Sequence, residues 1–254
     1  MNREVYKSLQ EGSVQGKKKL AVLIDPDKMR LGNMQKMVEL AVEARVDYLF
    51  VGGSLVVDDR MDYCLDIITQ ICSIPTILFP GSPQQINSKA DAILFLSLIS
   101  GRNADLLIGQ HVLSAPALKR SQLEVISTGY MLIDGGKPTT ASYISNSLPI
   151  PSDKDEIAYC TALAGELLGM KTIFLDGGSG AKNPVPESMI SMVSKGIQIP
   201  LIVGGGMRTP ERAMANAKAG ADLVVVGNAI EKNPNLIFEM TDAIHSLNKV
   251  VSMT

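Results

Sequence analysis

The sequence predicts a single (β/α)8 TIM barrel, organised as one domain over residues 1–254. Three observations favour this fold. The length of 254 residues suits one such barrel. Short aliphatic runs alternate with segments of helical spacing, which is typical of parallel strands joined by helices. The last three aliphatic runs end in glycine, and the loops after the last strands of these barrels commonly bind phosphate.

The first half of the chain contains five of the predicted strands, over residues 20–25, 47–52, 75–79, 90–96 and 123–133. Apolar residues at helical spacing predict helices over 33–44, 60–73 and 102–118. The connection between strands 3 and 4 is too short for a full crossover helix. We therefore predict a degenerate third helix, which would leave a groove on the flank of the barrel.

The second half continues the alternation. Strand 5 is long enough to extend past the rim, and the polar, Ser-rich residues 139–151 are predicted to form a loop above the barrel. A helix over 152–168 begins with acidic residues in its first turn. Strands 6, 7 and 8 lie within 171–181, 199–207 and 221–229, and Pro210 occupies the first position of the helix after strand 7.

Composition limits the function. The formal net charge is −2 and the pI is near 5.8, so we expect no nucleic-acid partner. Residues 1–20 lack the apolar core of an export signal, and no stretch is apolar enough for a membrane span, which predicts a cytoplasmic protein. Cys64, Cys72 and Cys160 lack C-x-x-C spacing, which indicates buried thiols. Two histidines are too few for a His-based metal site.

Glycines cluster at the ends of the last three strands. Without side chains, their backbone N–H groups can approach a phosphate closely. Tight turns alone are the alternative for any one loop, but three in series predict a phosphate cup. We expect a side chain added at Gly206 or Gly227 to obstruct the phosphate and raise the KM of a phosphate substrate.

Two polar residues on neighbouring strands are predicted at the same rim. Asp25 ends strand 1 and Ser54 follows strand 2. One carboxylate and one hydroxyl can anchor a Mg²⁺ ion that takes its other ligands from water and a diphosphate. A structural hydrogen bond is the alternative role for Asp25. Asp27 and Lys28 are weaker candidates, and Lys28 either contacts a diphosphate oxygen or is a solvated turn residue.

Asp176 is the candidate catalytic residue. It ends strand 6 and directly precedes the glycine loop Gly177-Gly178-Ser179-Gly180. A carboxylate there could accept a proton from a substrate hydroxyl beside the bound phosphate. The alternative is a cap on the following turn. Tyr130, on the long strand 5, either lines the groove or packs under the loop above it.

Together these motifs resemble the geranylgeranylglyceryl phosphate synthase family, which also contains the bacterial heptaprenylglyceryl phosphate synthases. The resemblance runs from strand 1 to the helix after strand 8. It rests on Leu23-Ile-Asp-Pro-Asp-Lys28, Val51-Gly-Gly-Ser54, Phe174-Leu-Asp-Gly-Gly-Ser-Gly180, Val203-Gly-Gly-Gly206 and Gly227-Asn228. It implies Mg²⁺-dependent transfer of a prenyl group from a prenyl diphosphate to the sn-3 hydroxyl of sn-glycerol 1-phosphate, which forms an ether-lipid precursor. Geranylgeranyl diphosphate is the expected donor, with heptaprenyl diphosphate as an alternative.

By the same resemblance, Asp25 and Ser54 match the family's magnesium positions. The glycerol phosphate positions are Phe174, Leu175, Asp176, Gly177, Gly178, Ser179, Gly180, Gly205, Gly206, Gly227 and Asn228. Three residues depart from the pattern. Asp176 replaces the family's usual glutamate, Phe174 replaces its usual tyrosine, and Leu23 stands where some members have lysine.

Two other classes remain open from the sequence. One is a phosphate-binding barrel lyase or isomerase, and the other is a non-catalytic phosphate-binding barrel. A Schiff-base aldolase is disfavoured because Lys171 is at the start of strand 6, away from the catalytic rim. We also expect a homo-oligomer that associates through outer helices, and a product destined for a membrane although the chain itself has no membrane span.

Overall fold

The computed structural model of the protein describes residues 4–27, 31–57 and 60–251. Eight parallel strands close into a barrel in sequence order, with β1 paired to both β2 and β8. The predicted TIM barrel is therefore confirmed. The strands are β1 (Lys19–Ile24), β2 (Tyr48–Val51), β3 (Thr76–Leu78), β4 (Ala92–Leu98), β5 (Glu124–Leu132), β6 (Thr172–Asp176), β7 (Leu201–Gly204) and β8 (Leu223–Val226).

Helices surround the barrel, and the third crossover helix is missing as predicted. Only a 3₁₀ turn at Pro83–Gln85 connects β3 to β4. A π-helical segment, Asp105–Gly109, precedes α4. In the described part of the chain, no helix is both long and apolar enough to span a membrane. The helices are α1 (Val5–Val14), α2 (Leu31–Glu43), α3 (Met61–Ile71), α4 (Gln110–Ser121), α5 (Thr140–Ser145), α6 (Asp155–Leu167), α7 (Glu187–Gly196), α8 (Pro210–Ala219), α9 (Asn228–Lys232) and α10 (Leu236–Val251).

The strands are buried on both faces, because alternate side chains point into the barrel and out towards the helices. Phe174 and Val225 belong to the inner cluster, with Leu23 packed against it. Side chains alternate along a strand, so the next inward position is two residues further on. It is Asp176 after Phe174, Gly227 after Val225 and Asp25 after Leu23. The apolar layer therefore gives way to carboxylates and glycine at the C-terminal rim.

The other end of the barrel is closed by α1, which the sequence analysis did not predict. Val5 and Leu9 are buried in the inner cluster. The backbone N–H groups of Val5 and Tyr6 donate to the Glu124 carboxylate at 2.6 and 3.0 Å. Lys171 lies at this end too, because its Nζ is over the Tyr6 ring, which confirms that it is away from the C-terminal rim.

Three local expectations differ from the structure. The predicted loop 139–151 contains α5, which begins because Thr139 and Ser142 form a reciprocal capping box. The fourth strand begins at Ala92 and not at residue 90. Of the cysteines expected to be buried, Cys64 is buried but Cys160 is exposed, because Cys160 lies on the solvent side of α6.

Candidate active site

A cavity opens at the C-terminal rim and brings together most of the predicted site residues. Two of them do not line it. Leu175 points outward and is fully buried beneath the helices, and Gly177 extends the sheet by donating its N–H to the Gly204 carbonyl at 3.0 Å. The predicted residues that line the cavity are Asp25, Ser54, Phe174, Asp176, Gly178, Ser179, Gly180, Gly205, Gly206, Gly227 and Asn228.

The glycine loops pack backbone against backbone. Gly205 has a φ of +84°, and a Cβ there would fall 2.7 Å from the backbone nitrogens of Gly177 and Gly178. Gly206 has a φ of +70°, and its Cβ would fall 2.5 Å from the Asn183 carbonyl oxygen. Only glycine fits at these two positions. A side chain at Gly206 would therefore disrupt the loop itself, so a variant at this position does not test the phosphate cup alone.

Gly227 is different. Its φ is −123°, outside the left-handed region, and an added Cβ would make only ordinary van der Waals contacts, the nearest with the Leu23 Cβ at 3.4 Å. An added methyl group would meet no atom closer than the Leu23 Cβ, and both residues line the cavity. Gly227 is therefore the glycine at which a side chain tests the phosphate cup and not the packing of the loops.

The Asp176 carboxylate is held by two hydrogen bonds. Its Oδ1 accepts from the Gly178 N–H at 2.7 Å and its Oδ2 accepts from the Tyr130 hydroxyl at 2.6 Å. The turn cap considered from the sequence is thus present, yet the carboxylate also lines the cavity. Burial raises the pKa of Asp176 above its ordinary value, and the two hydrogen bonds oppose the rise. The result is a fixed carboxylate that is more basic than an exposed one.

Phe174 lacks the hydroxyl of the tyrosine that the family usually has at this position, and the neighbouring Tyr130 provides one. The two residues are register partners on β5 and β6, with ring centroids 5.6 Å apart and edge-to-face geometry. Burial, followed by the nearby Asp176 charge, raises the pKa of Tyr130 well above its ordinary value. The hydroxyl therefore stays protonated and remains a donor to Asp176. Tyr130 also lines the apolar groove described below.

Asp25 and Ser54 line the same cavity. The Asp25 carboxylate is 7% exposed and its Oδ1 accepts from the Asp27 N–H at 3.2 Å. Gly53 packs against it, since a Cβ at Gly53 would fall 3.2 Å from Asp25 Oδ2. No cluster of three or more His, Cys, Asp or Glu side chains suited to a metal occurs among the described residues. One carboxylate and one hydroxyl fit Mg²⁺ if a substrate and water complete its shell.

Of the two weaker candidates, Asp27 is described by the structure. The Asp27 carboxylate accepts from the Val57 N–H and does not line the cavity. Lys28 lies outside the described residues.

An apolar groove runs from the cavity into the gap left by the missing third helix. It shares Gly53, Ser54 and Phe79 with the cavity, so the two spaces adjoin at these residues. His111 is buried against this groove, with its Nε2 3.0 Å from the Ser97 hydroxyl. The lining is otherwise largely aliphatic and aromatic, and includes Pro83, Ile86, Phe95, Leu98, Leu118 and Ile144.

Sequence reasoning missed the cations of the cavity, which are Lys137, Arg208 and Lys232. Arg208 Nη2 donates to the Ala181 carbonyl at 2.9 Å and so braces the strand-6 loop. Lys137 follows Gly135 and Gly136 directly after the fifth strand. Glycines that follow a strand are the same pattern that predicts the phosphate cup. This pattern is the sequence signal that could have identified the Lys137 loop as part of the site.

The fold and site define a class of protein. A closed eight-stranded barrel carries, at its C-terminal rim, a polar glycine-lined cavity joined to an apolar groove. Such a space suits a ligand that is anionic at one end and apolar at the other. The chain belongs to the PcrB family, whose family model matches residues 14–248.

Relatives and solved structures agree with this assignment. The chain is 57% identical to a geranylgeranylglyceryl phosphate synthase of Chitinophaga pinensis, over 99% of this chain and 100% of the relative. It is 41% identical to one of Pyrococcus furiosus, over 91% and 92% of the two chains. The crystal structure of (S)-3-O-geranylgeranylglyceryl phosphate synthase from Thermoplasma acidophilum in complex with sn-glycerol-1-phosphate superposes with a TM-score of 0.91. The two sequences are 32% identical, and the superposition covers 96% of this chain and 99% of the Thermoplasma chain. The family expected from the motifs is confirmed, and so is the expectation of an enzyme of the prenyltransferase class.

Proposed function

We propose that this protein transfers a prenyl group from a prenyl diphosphate, preferably geranylgeranyl diphosphate, to the sn-3 hydroxyl of sn-glycerol 1-phosphate, with Mg²⁺ as cofactor. The observation that carries the proposal is the junction of the two spaces at Gly53, Ser54 and Phe79. A prenyl diphosphate lying across it has its tail in the apolar groove and its diphosphate beside Asp25 and Ser54. The glycine loops then take the phosphate of the second substrate.

In this arrangement the glycine loops, the two metal-site residues, Asp176 and Tyr130 each have a chemical role. The three glycine loops hold the glycerol phosphate through backbone donors, with its sn-3 hydroxyl towards Asp176. Asp25 and Ser54 would hold Mg²⁺, which when bound would supply positive charge to neutralise a diphosphate leaving group. The C–O bond to diphosphate breaks, the glycerol oxygen forms the new C–O bond, and its proton passes to Asp176. Tyr130 fixes the carboxylate by donating to Oδ2.

Product analysis tests this proposal. The protein is incubated with sn-glycerol 1-phosphate, Mg²⁺ and an equimolar mixture of labelled farnesyl, geranylgeranyl and heptaprenyl diphosphates. We expect an organic-soluble glycerol phosphate ether that carries chiefly the geranylgeranyl group, and none when EDTA replaces Mg²⁺. A chiefly heptaprenyl product would correct the donor. The absence of any ether, with a sugar phosphate cleaved or isomerised instead, would favour the lyase or isomerase alternative.

The proposal includes a cytoplasmic homo-oligomer whose product passes to a membrane. Its outer helices expose apolar side chains that could form a subunit interface: Val112 and Leu113 on α4, and Ile157 and Leu167 on α6. Light scattering coupled to size-exclusion chromatography gives the assembly mass directly. A mass of 27.2 kDa, that of one chain, would contradict the oligomer.

A further inference from the structure

The loop over residues 134–140 is docked on the phosphate cup. The Gly135 carbonyl accepts from the backbone N–H groups of Lys182 and Asn183 at 2.9 and 3.0 Å. Thr139 packs against Gly178 so closely that a Cβ on Gly178 would fall 2.8 Å from the Thr139 side chain. The backbone on both sides of Lys137 is therefore fixed relative to the strand-6 loop.

This docking places the Lys137 ammonium at the cup. Lys137 lines the cavity, and its Nζ is 3.8 Å from the point that a Cβ on Gly180 would occupy. The Asn228 Nδ2 is 3.7 Å from the same point. Both groups are donors, and Lys137 has no hydrogen bond or ion pair within the part of the chain that the structure describes. Two donors thus converge on the open side of the glycine loop.

The charge of the proposed substrate needs such a group. A phosphate monoester carries about 1.5 to 2 negative charges at neutral pH, and it would lie beside the Asp176 carboxylate. The cup itself offers backbone N–H groups, the Ser179 hydroxyl and the Asn228 amide, all of which are neutral. Arg208 lines the cavity, but it already donates to the Ala181 carbonyl. Among the described residues, Lys137 is a cation that approaches the glycine loop at Gly180 and has no such bond.

We propose that Lys137 is a further substrate-binding residue, whose ammonium contacts the phosphate of glycerol phosphate and compensates its charge. The inference rests on the proposed function, because it assigns the phosphate of that substrate to the cup. It extends the site to a fourth loop, the one after β5, and predicts that this loop contributes to binding affinity and not to the chemical step.

The test compares Lys137→Met with a matched lysine variant. Lys182→Met removes a charge from an exposed residue beside the cup that does not line the cavity. Calorimetric titration of sn-glycerol 1-phosphate needs no turnover. For Lys137→Met we expect a Kd raised by ~10-fold or more, the size of one lost charge-assisted hydrogen bond. Lys137→Arg should stay within a few-fold of wild type.

Steady-state kinetics give the second measurement. In Lys137→Met the KM for glycerol phosphate should rise by a similar factor, while kcat and the KM for the prenyl diphosphate stay near wild type. An increase confined to the prenyl diphosphate would overturn the inference, and so would an equal loss of affinity in Lys182→Met. If the wild-type protein itself bound no glycerol phosphate, the proposed function would fail. If it bound and Lys137→Met bound equally well, only this inference would fail.

Discussion

The Asp176 carboxylate is the residue on which the proposed chemistry depends most. If it accepts the proton of the attacking hydroxyl, Asp176→Ala should lower kcat by ~10²-fold or more, which is the usual range for a general base. The affinity for glycerol phosphate should stay within a few-fold, because the glycine loops and not the carboxylate hold the phosphate. Single-turnover rates and calorimetry separate these effects. A wild-type rate in Asp176→Ala would mean that the carboxylate only orders its turn through Gly178.

The pH dependence of turnover tests the contact between Tyr130 and Asp176. The base must be ionised to work, so activity falls below its pKa, and burial places that pKa above the ordinary aspartate value. The Tyr130 hydrogen bond opposes the rise. Tyr130→Phe should therefore raise the pKa of Asp176 further, and the acid limb of kcat should move to higher pH.

Comparing the pH profile of Tyr130→Phe with that of wild type separates the pKa of Asp176 from that of the substrate phosphate. A phosphate monoester has its own second pKa of about 6, but the substrate contributes it equally in wild type and variant. Tyr143→Phe is the matched control, since Tyr143 is 84% exposed on α5. An acid limb in Tyr130→Phe that coincides with wild type would remove Tyr130 from the tuning of the base.

Asp25 is predicted to act through Mg²⁺. Asp25→Asn removes a carboxylate that lines the cavity with Ser54, and weaker neutralisation of the departing diphosphate should lower kcat by ~10²-fold or more. The fold should be retained, as far-ultraviolet circular dichroism would show. Asp153→Asn, at an exposed aspartate, controls for the loss of charge. Near-normal turnover of Asp25→Asn at saturating Mg²⁺ would remove Asp25 from the metal site.

A single residue could be predicted from the sequence when its position relative to a strand indicates its role. Asp25, Asp176 and the glycines end strands, which the sequence marks directly. The contact between Tyr130 and Asp176 depends on the register of β5 and β6, and a linear pattern does not reveal it. Lys137 was missed because its loop is brought to the cup by tertiary hydrogen bonds from Lys182 and Asn183. Leu175 was included through a continuous motif, although strand alternation turns it outward.

At the scale of elements, two glycine loops should respond differently to the same change. Gly227→Ala should cost less stability than Gly206→Ala and raise the KM for glycerol phosphate, because its methyl group makes only ordinary contacts with Leu23 at the cavity lining. Gly206→Ala should instead lower the urea midpoint, because its Cβ meets the Asn183 carbonyl and its φ is positive. Urea unfolding and KM values on both variants decide this. A raised KM for the prenyl diphosphate alone in Gly227→Ala would contradict the location of the cup.

Elements were predictable where periodicity was long and hidden where it was short. The missing third helix followed from the short connection between β3 and β4, and the groove was inferred from it. Helix α5 gives little sequence signal because six residues carry little helical periodicity, although Thr139 and Ser142 form a capping box. Helix α1 has only two large apolar residues, Val5 and Leu9, on its buried face, so a polar segment gave no clear signal before the barrel was seen.

At the scale of the whole molecule, the C-terminal end of the barrel carries the candidate active site, and the N-terminal end contributes to stability. Leu9 is 3% exposed and packs in the inner cluster at the end opposite the cavity. Leu9→Ala should therefore lower the free energy of unfolding by about 2–5 kcal/mol, the range for a leucine removed from a core. The KM values of both substrates should not change, because α1 and the glycine loops lie at opposite ends of the strands. Lys7→Ala, on the exposed face of α1, should stay within ~0.5 kcal/mol of wild type. Urea unfolding and kinetics on the same preparations test the separation, and a KM that changed in Leu9→Ala without loss of stability would show that the two ends are coupled through the inner cluster.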